Sequence, residues 1–272
     1  MNGVTEIPGN GYRIFYIENL SDDLKNCIRN WLSKICYGES NAISGRCTYS
    51  YKNALKQFLH LYDAISETSS QKTENRKKGL VGELLVHVIM LEYYTDYSIN
   101  SAFFNLEEHS YKKGFDVVLS NNSTKEIWIL ETKSGEIKKD KDSNETIKSL
   151  LSIGKSDLKK RLNENNDLLW QNAINHAKCY MNEQNGEKEA VIKLLADYAE
   201  STTLKKLKST DINIMLAGML FYDITKKFDN ACVSNAYDGY NKKKEFKDVH
   251  LIAIQKNTYA AIVDFLRAEQ SV

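Results

Sequence analysis

The chain has 272 residues, with 37 Lys and Arg against 36 Asp and Glu, a formal charge of +1, and 42% hydrophobic residues. That near-neutral balance argues against a broad, nonspecific coat for nucleic acid, while the length and apolar share allow one elaborated domain or two small ones with a sizeable core. No apolar stretch approaches the length of a bilayer span, and Met1-Asn2-Gly3-Val4 lacks the basic and apolar regions of a signal peptide, so the expectation is a cytoplasmic protein with no membrane partner.

In chain order, Tyr12–Ile17 reads as a short strand, and Ser21 is a good N-cap for a helix over Asp22–Cys36. A second helix spans Tyr51–Ile65. The polar run Ser66-Glu67-Thr68-Ser69-Ser70-Gln71-Lys72-Thr73 reads as a linker. It divides an N-terminal α/β extension, residues 1–70, from a larger domain, residues 71–272. Leu80, Leu84, Val88 and Leu91, flanked by Val81 and Leu85, then form a helical stripe over Arg76–Met90. Glu83 sits at its rim, and Gly79 and Gly82 permit close backbone approach. His87 follows Glu83 by one helical turn, but no second ligand histidine accompanies it, so it reads as a packed side chain.

The chemistry concentrates in the next segment. Gly114-Phe115-Asp116-Val117-Val118 and Ile127-Trp128-Ile129-Leu130 are two apolar, β-branched or aromatic runs separated by the turn formers Ser120–Thr124, which predicts adjacent strands of a hairpin. Strand alternation puts Glu131 and Lys133 on the face of Ile127 and Ile129, with Trp128, Leu130 and Thr132 on the other. Paired in register, Asp116 lies opposite Glu131. Two carboxylates and a lysine therefore converge at a partly exposed strand end, enough to hold Mg²⁺, with Mn²⁺ as a substitute, because such ions keep several waters and share their remaining positions with substrate phosphate. Any one of these residues alone is more often an ordinary solvated side chain; their joint placement points to metal-dependent hydrolysis of a phosphodiester.

Ser134 to about Ser152 is charged and poor in apolar residues, which predicts a mobile loop beside the site. Helices follow near Ile153–Asn163, Asp167–Met181 and Glu187–Ser201, then a central buried strand over Ile212–Tyr222, a strand over Val249–Ile254 and a closing helix over Tyr259–Arg267. Strands interleaved with helices predict an α/β domain with a mixed sheet. Basic clusters occur at Arg76–Lys78, Lys138-Lys139, Lys159-Lys160-Arg161, Lys205-Lys206 and Lys242–Lys244. Each reads first as solvated surface and second as a source of phosphate contacts. Cys27, Cys36, Cys47, Cys179 and Cys232 show no C-x-x-C or paired zinc spacing, and the chain has no G-x-x-x-x-G-K-[ST] phosphate loop.

On Glu83, Asp116, Glu131 and Lys133 the chain resembles the PD-(D/E)XK nuclease superfamily, with Phe115 in place of the proline that often precedes the first aspartate. The combination Gly79-x-x-Gly82-Glu83, Lys113-Gly114-Phe115-Asp116 and Glu131-Thr132-Lys133 is similar, more narrowly, to HamA, the nuclease family of Hachiman antiphage defence. The resemblance implies a restriction-endonuclease-like core of mixed sheet and flanking helices. It also implies metal ligation by Glu83, Asp116 and Glu131, assistance by Lys133, and polar contacts to DNA from the helix holding Gln171 and Lys178. The implied partners are DNA and a superfamily 2 helicase of the HamB kind, which supplies the ATP-using activity this chain lacks. Two alternatives stay open: a catalytically minor interaction subunit of a helicase complex, and an RNA-cleaving enzyme of the same chemistry.

Overall fold

The computed structural model describes residues 1–65, 71–101, 103, 114–138, 140–182 and 186–271. Two strands, β1 (Val4–Gly9) and β2 (Tyr12–Ile17), open the chain and are followed by helices α1 (Asp22–Tyr37), α2 (Glu39–Ala42), α3 (Tyr51–Ala64) and α4 (Gln71–Tyr93). Ser21 caps α1 as its residue type predicts, its Oγ accepting from the Leu24 N–H at 3.2 Å. Strands β3 (Tyr97–Ile99), β4 (Val117–Asn121) and β5 (Ile127–Gly135) come next. Three helices, α5 (Ser143–Asn163), α6 (Leu168–Tyr180) and α7 (Glu187–Thr203), precede the last elements, β6 (Asn213–Phe221), α8 (Asn230–Lys243), β7 (Asp248–Lys256) and α9 (Ala260–Gln270).

All seven strands join one mixed sheet in the order β1-β2-β7-β6-β5-β4-β3. The four middle strands β2, β7, β6 and β5 are parallel neighbours, and antiparallel pairs close both edges. A parallel strand covered on both faces must be apolar throughout, and β6 is buried at every position. One face of the sheet packs Phe15, Leu130, Met215 and Ile252 against apolar residues of α1, α3, α4 and α9. The other packs Ile14, Ile129, Leu216 and Leu251 against α5, α6, α7 and α8. The chain is thus an α/β protein with a mixed central sheet flanked by helices, and its N-terminal strands extend that sheet through the parallel pairing of β2 with β7.

Several elements differ from the sequence reading. Residues 66–70 of the expected linker lie outside the described residues, and Gln71–Thr73 already belongs to α4. The expected loop after β5 ends early, because α5 begins at Ser143 behind a capping box in which Asp142 accepts from the Glu145 N–H at 2.7 Å and Glu145 accepts from the Asp142 N–H at 3.1 Å. Strands β1 and β3 and helix α8 had no counterpart in that reading. The first is an edge strand containing Pro8, the second is three residues long, and α8 is a Ser/Asn/Asp/Gly-bearing helix that buries only Cys232 and Val233. Among the described residues no helix is long and apolar enough to cross a membrane.

Candidate active site

The hairpin forms in the predicted register. Val117 pairs with Leu130 and Ser120 with Ile127, so Asp116, one residue before β4, comes level with Glu131. The Asn121 carboxamide organises the turn by accepting from the N–H groups of Ser123 and Thr124, both at 2.9 Å. Asp116 is fixed across the strand ends, its Oδ2 accepting from the Thr132 N–H at 2.7 Å. Phe115, where the proline was absent, acts as an apolar anchor. It is 2% exposed and tilts against Trp170 of α6 at 4.9 Å between ring centroids.

Helix α5 covers the face that carries Glu131 and Lys133. A Cβ added at Gly154 would come within 3.4 Å of Lys133 Cγ and 3.7 Å of Glu131 Cγ, so the glycine lets the helix backbone lie close over the pair. A cleft of about 400 Å³ opens there, lined by Gly114, Asp116, Glu131, Thr132, Lys133, Asp157, Lys160, Arg161 and Glu164. Lys133 Nζ donates to Glu131 Oε1 at 2.9 Å and lies 3.0 Å from Asp157 Oδ2. Glu131 Oε2 accepts from the Arg161 guanidinium, which also donates to the Gly114 carbonyl at 2.8 Å.

The electrostatics follow from this packing. Glu131 is 3% exposed, and burial, then the neighbouring Asp116 charge, pushes its carboxyl above the usual carboxylate range while Arg161 and Lys133 pull it back. Burial would lower the Lys133 ammonium, but the carboxylates of Glu131 and Asp157 outweigh it and hold the group above the ordinary lysine value. Two carboxylates that repel one another beside an ammonium form a site that gains from a further cation.

The structure therefore brings Asp116, Glu131 and Lys133 into one cleft. Asp157, Lys160, Arg161 and Glu164 join them from α5 and its end, and none of these four had been singled out as a site residue. The run Lys159-Lys160-Arg161 splits by function: Lys159 bonds Glu245 at 2.6 Å, whereas Lys160 and Arg161 turn to the cleft. Of the other basic clusters, Lys78 is buried in an ion pair with Glu136 at 2.7 Å, and Lys139 lies outside the described residues.

A family model of HamA matches residues 2–269, almost the whole length. The chain belongs to the HamA family. Membership ties it to Hachiman antiphage defence, whereas no match was found among curated proteins.

The remaining positions of the HamA-like motif sit around the cleft rather than in it. Glu83 is partly buried on α4, which packs on the opposite face of the sheet, and it is absent from the cleft lining. The adjoining Gly82 brings α4 against β5, since a Cβ there would meet Ser134 Oγ at 1.9 Å. His87 is buried, with Nδ1 2.9 Å from the Glu83 carbonyl and its ring edge-on to Phe103 at 5.4 Å, as a packed histidine should be. Gln171 and Lys178 are exposed on α6, whose Asn172 lies beside Gly114 at the cleft.

The donor set suits a hard divalent cation. Among the described residues no three His, Cys, Asp or Glu side chains converge as a complete cage. A carboxylate pair open to a cleft is the arrangement that Mg²⁺ uses, with waters and phosphate oxygens filling the other positions. Asp116 and Glu131 would hold such an ion in this family member.

Proposed function

We propose that the chain is a Mg²⁺-dependent nuclease that hydrolyses DNA phosphodiester bonds as the effector of a Hachiman-type antiphage complex in the cytoplasm. The observation that carries the reading is the convergence of Asp116, Glu131 and Lys133 in one cleft. Three charged groups, one of them buried, are costly to assemble and have no packing purpose at the end of a strand that begins with the apolar run Ile127–Leu130. The strand–turn–strand layout agrees with a restriction-endonuclease-like core of the PD-(D/E)XK kind.

Asp116 and Glu131 bind the ion, which when present supplies Lewis-acid stabilisation and an activated water. Lys133, flanked by two carboxylates, remains an ammonium and offers its charge to the phosphate as negative charge develops there. The exposed Gln171 and Lys178 on α6 contact the nucleic acid beside the cleft. The near-neutral charge gives weak DNA binding by the chain alone, since phosphate neutralisation supplies most nonspecific affinity. Delivery therefore falls to a helicase partner, in whose complex the nuclease is held low until DNA is engaged.

Two experiments test the reading. Purified protein with Mg²⁺ or Mn²⁺ is assayed on plasmid, linear, single-stranded and RNA substrates; cleavage of RNA alone would replace DNA as substrate. Mixing with the helicase on a sizing column should give one complex, and separate elution at micromolar concentration with unchanged nuclease activity would remove the regulated-complex part.

A further inference from the structure

Both oxygens of Glu131 are engaged by cations: Oε1 accepts from Lys133 Nζ at 2.9 Å and Oε2 from the Arg161 guanidinium. Binding a divalent ion at this carboxylate requires one of the two to withdraw, because like charges crowded on one buried group repel strongly. Their other contacts decide which one does.

Arg161 is anchored beyond Glu131, donating to the Gly114 carbonyl at 2.8 Å and lying 5.9 Å over the Phe115 ring, yet among the described residues Glu131 is its one carboxylate. Leaving Glu131 would strand its charge. Lys133 differs, since Asp157 Oδ2 stands 3.0 Å from the same Nζ. It can give up Glu131 Oε1 and keep a carboxylate partner without leaving the cleft. The helix fixes that second partner: Gly154, Asp157 and Arg161 recur at i, i+3 and i+7 on one face of α5, and Gly154 sets this face close over Lys133 and Glu131. The Asp157 side chain is 51% exposed and that of Glu131 4%, so the carboxylate left to Lys133 is the solvated one, while the buried one is freed for the ion.

We propose that Asp157 is a positioning residue that takes over Lys133 when Glu131 Oε1 turns to the divalent ion, keeping the ammonium in the cleft where the substrate phosphate comes to lie. Asp157 thereby acts through Lys133 and not on the ion. The proposal rests on the metal-nuclease reading and deepens it by naming a residue outside the motif.

The test is calorimetric titration of the full-length protein with Mn²⁺ alone, without nucleic acid, for wild type, Asp157→Asn, Asp157→Glu, Lys133→Gln and the double variant Asp157→Asn with Lys133→Gln. In Asp157→Asn, Lys133 has Glu131 as its remaining carboxylate and competes with the ion, so Mn²⁺ affinity should fall about three- to fivefold, the scale of a partly exposed ion pair. Asp157→Glu keeps a carboxylate and should recover most of that loss. Lys133→Gln removes the competitor, and in this background Asp157→Asn should lose most of its effect, which a merely structural role or a direct pull of Asp157 on the ion would not produce. Lys133→Met serves in its place should Lys133→Gln fail to fold. A loss of the same size in both backgrounds overturns the proposal, as does an Asp157→Asn protein that binds Mn²⁺ as tightly as wild type; the nuclease reading stands in either case. Absence of Mn²⁺ binding in wild type and all variants overturns both.

Discussion

The two faces of β5 differ in kind although they belong to one strand. Leu130 packs into the apolar layer beneath α4, where Gly82 brings helix and strand almost to contact. The reverse face begins in the same way with Ile127 and Ile129, then changes after one step to Glu131 and Lys133 under α5. The first face is explained by packing alone. The second gives up apolar burial to hold charge, and this contrast locates the chemistry better than any single residue does.

Breaking the packed face should be the most costly change. Leu84→Ala empties a fully buried position on α4 and should lower stability by about 2–5 kcal/mol in urea unfolding. Gly82→Ala should cost about 1–3 kcal/mol despite its gain in helix propensity, because the new methyl meets Ser134. Part of that loss should return in the background Ser134→Ala, since Ser134 Oγ is buried with no partner among the described residues and its removal alone is mild.

The packed side also carries an acid-sensitive group. His250 of β7 lies 2.9 Å from the Tyr94 hydroxyl, and burial, with Arg13 adding to it, pushes its pKa down to about 4. The unfolded chain takes up this proton below pH 6.5 while the folded protein refuses it until about 4, so stability falls as pH drops through that window. Between pH 7 and 5 the loss is about 2 kcal/mol, and His250→Gln should flatten it in melting curves taken across that range. A slope unchanged by the substitution would assign the acid sensitivity elsewhere.

The smallest effects are expected at the exposed rim. Gln171→Ala and Lys178→Ala should each change stability by less than about 0.5 kcal/mol. Lys178→Ala should reduce the salt dependence of DNA binding by about one contact, read as the slope of log affinity against log salt. An unaltered slope would remove α6 from the nucleic-acid surface.

Much of this was legible in the sequence because it depends on local rules. Strand alternation placed Glu131 and Lys133 together, the turn residues set the register of Asp116 against Glu131, and the unbroken apolar run of β6 marked a strand covered on both faces. The start of α5 was legible too, in Asp142-x-x-Glu145 and the stripe Ile147, Leu150, Leu151, Leu158, but the abundance of charge there suggested a loop. What could not be read was set by tertiary packing. Glu131 was expected to be partly exposed, and it is buried because α5 lies over it with Gly154 at the contact. Asp157 and Arg161 enter the cleft only through the rotation of that helix about its axis, which no local spacing specifies.

The central claim is that the charged face of β5 performs metal-dependent cleavage. Its most direct test is the rate at which the full-length protein cleaves plasmid in Mg²⁺, measured for wild type, Lys133→Ala and Glu131→Ala alongside melting curves that establish folding. The account predicts a loss of at least about 100-fold in both variants, the scale expected when a group that stabilises the transition state is removed, with the Lys133→Ala protein still folded. Equal cleavage by wild type and both variants would contradict it.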